Sequence, residues 1–136
     1  MAEKLALQIV TPERQVLMEQ VDDVILPSVN GYMGILPGHA PLLAQLDVGE
    51  VSYLAGNQRH YLAVSGGFVE VLRRSVSILA TTCEKAEEID LERAQKSKDR
   101  AERKLKPELP EADFQRFEAR LKRAISRIQV TRRLAS

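Results

Sequence analysis

All seven glycines of this 136-residue chain lie between Gly31 and Gly67, and none follows. Glycine serves tight turns and close backbone approaches, and inside a helix it costs about 1 kcal/mol relative to alanine. Past Cys83 the β-type pattern also stops, and a stretch rich in Ala, Glu, Lys and Arg runs to the end. The change of rules divides the chain into a compact β unit over 1–84 and a pair of polar helices over 85–136. The helices carry too little apolar surface to fold well alone. Such asymmetry suits a protein that anchors with one half and acts with the other.

Charge follows the same division. Residues 1–83 hold five basic and eight acidic groups, net −3, while 84–136 hold fifteen basic and eleven acidic, net +4. Residues 114–136 set seven basic groups against the single acid Glu118. This is either a solvated helical face or a contact for an acidic partner or a phosphate. A single cysteine leaves no internal disulfide, which suits a reducing compartment. No run approaches the roughly 18 apolar residues of a membrane span, and Met1 to Val10 lacks the pattern of a signal peptide. The expectation is a cytoplasmic soluble protein.

In the first half, Leu5–Val10 reads as a strand stopped by Thr11-Pro12, and Val21–Leu26 as a second closed by Pro27. Gly31 and Gly34 bracket a turn at Tyr32-Met33 that leads into Ile35-Leu36. Residues 51–54 and 60–64 flank Gly56-Asn57, a hairpin signal. Residues 68–72 and 75–80 flank Arg73-Arg74. Short strands with turn signals about every ten residues favour a sandwich or barrel. Ser65-Gly66-Gly67 reads as turn chemistry or as a close backbone approach. His39 has no visible nucleophile beside it.

In the second half, 86–106 has neither Gly nor Pro, and Glu92/Lys96, Asp99/Arg103 and Glu102/Lys106 are acid-before-base pairs at i,i+4. Pro107 to Pro110 breaks the run, and a second helix is expected to reach about Arg132. Its residues Phe114, Phe117, Leu121, Ala124, Ile125 and Ile128 fill an arc of about 100°. Leu91, Ala94, Ala101 and Leu105 form a narrower stripe on the first helix. A short link between amphipathic helices predicts an antiparallel pair. Arg116, Arg120, Arg123 and Arg127 recur at spacings of 4, 3 and 4 within roughly 60°, away from that apolar arc. Their mutual repulsion leaves them either solvated or suited to carboxylates or a polyphosphate.

These pieces together resemble the epsilon subunit of F-type ATP synthases, called delta in mitochondria. The likeness rests on Leu7-Gln-Ile-Val-Thr-Pro12, Val24-Ile-Leu-Pro27, Gly31-Tyr-Met-Gly-Ile-Leu-Pro-Gly-His-Ala-Pro-Leu-Leu43, Ser65-Gly-Gly-Phe-Val-Glu-Val71 and Ile89-Asp-Leu-Glu-Arg-Ala94. It covers essentially the whole chain. It implies a β + α protein: an N-terminal β-sandwich of about ten strands followed by a C-terminal antiparallel αα-hairpin. It implies a non-catalytic rotor subunit that links gamma to the c-ring, couples proton flow to ATP synthesis and inhibits hydrolysis through the hairpin. By position, Gly31, Tyr32, Met33, His39, Pro41 and Leu42 are implied for the c-ring and gamma contact, with Ser65 and Gly66 on the gamma face. Some relatives place a carboxylate in the ring-facing turn. Here that turn is Asn30-Gly31-Tyr32-Met33, so the contact is expected to be more apolar.

The resemblance also implies an ATP site in the folded hairpin at Ile89, Asp90, Arg93, Ala94, Arg100, Arg123 and Arg127. No required cofactor and no metal follow from it, and ATP enters only as a regulatory ligand. In the extended hairpin, Arg116, Arg120, Arg123 and Arg127 are expected to grip acidic residues of the alpha and beta subunits. Membrane association is expected only through the complex, at the cytoplasmic face of a bacterial plasma (inner) membrane. Two other function classes fit less well. A nucleic-acid-binding module is opposed by the acidic β half and the scarcity of aromatics. A small enzyme lacks any constellation of His, Cys or carboxylate with useful spacing.

Overall fold

The computed structural model describes residues 3–135; Met1, Ala2 and Ser136, the ends of the two expected units, lie outside the described residues. Eight strands form the first half: β1 (Leu5–Val10), β2 (Gln15–Val21), β3 (Asp23–Ser28), β4 (Gly31–Ile35), β5 (Leu42–Gln45), β6 (Gly49–Ala55), β7 (Gln58–Val71) and β8 (Ser75–Lys85). The expected ten strands are thus eight among the described residues. One reason is that the runs read separately on either side of Ser65-Gly66-Gly67 are a single 14-residue strand. The sheet runs β2-β1-β8-β7-β6-β3-β4, with β5 also on β7. The first part of β7 pairs with β6 and the last part with β5, so this strand belongs to both layers of the sandwich.

The glycine pair makes that change of layer possible. Leu62 and Val64 point into the core before it, and Val69 and Val71 after it. The inward set therefore switches from even to odd positions while the pairing with β8 keeps its register. Gly66 and Gly67 have φ of 65° and 115°, a region that side chains rarely adopt. A Cβ on Gly67 would lie 2.0 Å from the Leu79 carbonyl oxygen. The close backbone approach is therefore the right reading here.

Inward residues alternate along the strands, as with Leu5, Leu7 and Ile9 of β1, and form one core that includes Leu26, Ile35, Leu46 and Ile78. The Gly56-Asn57 hairpin forms as expected, with φ of 60° and 65°, the two positive values that a type I′ turn needs. The expected second strand at 21–26 is replaced by two. Among the described residues β2 is an edge strand paired only with β1, and its polar exposed side gives little apolar alternation. Pro27 lies inside β3 rather than ending it, and Tyr32 and Met33 belong to β4 rather than to a turn.

The helical half consists of a short 3-10 turn (Ala86–Glu88), α1 (Leu91–Lys104), α2 (Glu111–Arg132) and a final 3-10 turn (Arg133–Ala135). The run 86–106 is not one helix. Ile89 is extended and buried beside Ala63, Ala86 and Val130, and the Asp90 carboxylate accepts the Arg93 N–H at 3.1 Å, starting α1 anew. Of the expected ion pairs, Glu92–Lys96 forms at 3.2 Å, and Lys98–Glu102 at 3.6 Å replaces the other two. Pro110 caps α2 rather than entering it. The helices pack against each other, with Lys104 near Phe117 and Ser97 near Arg123, the placement of an antiparallel pair. Ala94 and Ala101 are the buried residues of α1, which lets the partner helix approach closely.

Candidate functional site: clefts beside the arginine helix

Helix α2 is buried on two faces. Ala124 and Ile128 lie within the expected apolar arc, but Ser126 and Val130 are buried as well. At 100° per residue those two lie roughly 160° round the helix from the first pair. Val130 is fully buried with Ala63, Ala86 and Ile89, so this second face docks on the sandwich. The arginine stripe falls between the two buried faces. Arg120, Arg123 and Arg127 therefore border clefts, while Arg116 does not; the stripe lies away from the expected apolar arc but beside a second buried face that the sequence reading did not name.

The inner cleft, about 440 Å³, lies between the sandwich and α2. Arg120, Arg123, Ser126 and Arg127 line it from α2, Ser97 from α1, and Thr11, Arg14, Ser65, Thr82 and Glu84 from the sandwich. Arg127 is held by Glu84: Nε lies 2.7 Å from Oε1, and Nη2 donates to Oε2 at 3.2 Å. Only the Nη2 contact has hydrogen-bond geometry; the Nε–H is not aimed at the carboxylate. The Ser126 hydroxyl is buried and has no partner among the described residues. Ser65 is hydrogen-bonded to Thr82.

An outer cleft of about 390 Å³ between α1 and α2 is lined by Ser97, Arg100, Ala101, Lys104, Phe117, Arg120 and Arg123. Of the seven positions expected around ATP, Arg100, Arg123 and Arg127 line these clefts. Asp90 spends one carboxylate oxygen on the α1 cap, Ala94 and Ile89 are buried in packing, and Arg93 is exposed outside the two linings. Glu84, Ser97, Lys104 and Ser126 escaped the sequence reading. The available signal was Ser126 and Val130 recurring four apart, opposite the main stripe.

Two more contacts fasten the hairpin. Arg133 is bidentate to Glu50, at 2.9 and 3.0 Å, and its guanidinium lies 4.8 Å from the Tyr61 ring centre. The Glu50 bond holds Arg133 protonated even more firmly than usual. An Arg14 nitrogen lies 3.0 Å from both Glu88 oxygens, and this contact lowers the Glu88 pKa; burial opposes it, and the Lys85 N–H adds to the lowering.

Elsewhere on the sandwich, Gly31, Tyr32, Met33 and Leu42 line one groove with Val29 and Leu43. Tyr32 Oη accepts the Glu50 N–H at 3.0 Å, and its ring crosses Gly49, where a Cβ would come within 2.6 Å of that oxygen. His39 and Pro41 are not among the residues lining the groove, and the His39 Nδ1 lies 2.7 Å from the Ala40 carbonyl. Ser65 and Gly66 are not part of it either: Ser65 faces the inner cleft, and the Gly66 N–H is directed at the Asp47 carbonyl at 3.4 Å. The sequence reading missed an apolar outer face beside the groove. Phe68 and Leu79 are paired across β7 and β8, and with Leu43 each is more than half exposed.

Residues 4–86 match the beta-sandwich domain of the ATP synthase delta/epsilon chain, and residues 87–132 its long alpha-helix domain. The ATP synthase epsilon chain of Citrifermentans bemidjiense is 45% identical over 136 residues, covering 99% of each chain. That of Geotalea daltonii is 47% identical over 131 residues, covering 96% of this chain and 95% of the relative. A chain in the cryo-EM structure of the Euglena gracilis mitochondrial ATP synthase (OSCP/F1/c-ring) has the same fold. Its TM-score is 0.81 at 24% identity, covering 98% of this chain and 82% of that one. With both domains matched in order along nearly the whole sequence, the chain belongs to the delta/epsilon family of ATP synthase subunits.

Proposed function

We propose that this protein is a non-catalytic central-stalk subunit of an F-type ATP synthase, bound to gamma and the c-ring, at the cytoplasmic face of a bacterial plasma membrane. The observation that carries the reading is the full-length match to epsilon chains, sandwich and helices in order. Residues 1–84 dock and 85–136 regulate. The groove of Gly31, Tyr32, Met33 and Leu42 meets the c-ring, with His39 and Pro41 on the same loop. The face of Leu43, Phe68 and Leu79 is covered by gamma. Exposed apolar side chains grouped on one face are the usual mark of a protein contact, which supports both assignments.

ATP binds beside α2 in the folded hairpin as a regulatory ligand, through Arg100, Arg123 and Arg127, with Asp90 and Arg93 at the start of α1. It displaces Glu84 from Arg127, because phosphate and carboxylate compete for one guanidinium. When the hairpin opens, the freed arginines engage acidic residues of alpha and beta and slow hydrolysis. The test is reconstitution with a chain ending at Glu84. Assembly and coupled synthesis are expected to persist while hydrolysis rises; loss of assembly would defeat the division of labour.

A further inference from the structure

Glu50 stands between the groove of Tyr32 and the hairpin. Its backbone N–H donates to Tyr32 Oη at 3.0 Å, and its carboxylate accepts two bonds from Arg133 at 2.9 and 3.0 Å. Strand pairing explains why a side chain serves that N–H. Among the described residues, β3 and β6 pair from Asp23–Leu54 to Ile25–Ser52 and no further. Beyond that point the Pro27 carbonyl of β3 accepts the Asp47 N–H at 3.0 Å, and Tyr32, paired with Pro27 across β3 and β4, brings its hydroxyl to Glu50 instead. The phenol has a built seat. A Cβ on Gly49 would lie 2.6 Å from Tyr32 Oη and 2.9 Å from Pro27 Cβ, so β6 passes under the ring only because residue 49 has no side chain. Across the sheet Glu50 is in register with Ala63 of β7, which is buried in one cluster with Val130 of α2. The Glu50 side chain is 18% exposed, whereas Tyr32 at the groove is 58% exposed. A single residue thus touches the groove through its N–H and the hairpin through its carboxylate.

We infer that Tyr32 and Glu50 relay contact at the groove to the hairpin, so that a partner covering Tyr32 tightens the hold on the C-terminal end of α2. This rests on the reading that the c-ring occupies the groove, and it adds what that contact does. Uncovered, the Tyr32 ring keeps rotamer freedom, and water competes for its hydroxyl. An apolar partner removes both: it fixes the ring and excludes water from the Tyr32–Glu50 bond, which strengthens as the local dielectric falls. Glu50 is then fixed where Arg133 meets it with two bonds at once, a geometry that a small displacement of the strand spoils.

Amide exchange around Val130 is the readout, in the isolated full chain and in complexes with alpha, beta and gamma, assembled with and without the c-ring. Tyr32→Phe keeps the ring and removes only the hydroxyl. In the isolated chain it should speed exchange around Val130 about threefold, with β1 and β8 unchanged. In an Arg133→Gln background, which lacks the two bonds to Glu50, it should add nothing. Adding the c-ring should slow exchange around Val130 about threefold in wild type and leave Tyr32→Phe unchanged. The inference is overturned if Tyr32→Phe has no effect in the isolated chain, if it acts equally with Arg133→Gln, or if it speeds exchange throughout the sandwich. Equal slowing by the c-ring in wild type and Tyr32→Phe overturns it as well. If the c-ring leaves the amides of 31–33 unprotected, the groove reading fails by itself, and the Arg133→Gln comparison in the isolated chain decides the relay.

Discussion

Gly67 is the residue on which the sandwich turns. Both obstacles to a side chain act there: a positive φ, and a backbone carbonyl where the Cβ would sit. Neither can give without separating β7 from β8. Gly67→Ala should therefore cost about 3 kcal/mol or more, read as a lower urea midpoint at unchanged slope. Gly34, where a Cβ would meet nothing within 4 Å and φ is ordinary, is the control and should change little. Cys83 makes a second prediction. It is buried in the sandwich core, and burial pushes its thiol up to about 12. Thiolate is the reactive form, so at pH 8 the native protein should resist alkylation, and full labelling should appear only in denaturant. Rapid labelling of the native protein would mean that β8 opens where it meets the hairpin.

At the scale of elements, α2 is held at its C-terminal end more than along its length. Val130 is fully buried, Arg127 pairs with Glu84, and Arg133 grips Glu50 beside Tyr61. The half of α2 near the loop offers only half-buried side chains such as Phe114 and Phe117. Glu50→Gln should weaken the catch by about 0.5–1 kcal/mol and speed amide exchange severalfold around Val130, with the core of β6 and β7 unchanged. The Arg14–Glu88 pair adds a pH dependence of known sign. Glu88 is lowered in the folded state, so its contribution is complete above the unfolded carboxylate range, near 4.3, and is lost as pH falls through the folded value. The stability difference between wild type and Arg14→Gln should hold at pH 6–7 and vanish in acid. A difference that grows in acid would contradict the pairing.

For the whole molecule, the arginine stripe has two duties that substitution must separate. Arg120, Arg123 and Arg127 border the clefts of the folded hairpin, so replacing them disturbs the compact state as well as any grip by the extended one. Arg116 is exposed, lies outside both linings, and among the described residues has Asp113 as its ion-pair partner and the Phe117 ring beside it. Arg116→Ala in a reconstituted complex should raise ATP hydrolysis severalfold at low ionic strength, with assembly unchanged and the difference shrinking as salt screens the contact. An unchanged rate at every ionic strength would reduce this residue to a solvated charge.

Much of this architecture was legible in one dimension because it depends on local rules. Gly56-Asn57 specified its hairpin, and the alternation of Val76, Ile78 and Ala80 along the last strand named core residues. The recurrence along α2 likewise named one buried face. What failed needed neighbours distant in sequence. Edge strand β2 gains its order from β1, and Ser65-Gly66-Gly67 reads as a break until β8 is seen running unbroken beside it. Val130 looks like one more residue outside the apolar arc until Ala63 and Ile89 cover it. The sequence alone determined which helix carries the arginines. Only the packing of that helix on two surfaces at once decided that they line clefts, because a helical period of 3.6 describes one face and says nothing about how many partners the helix will meet.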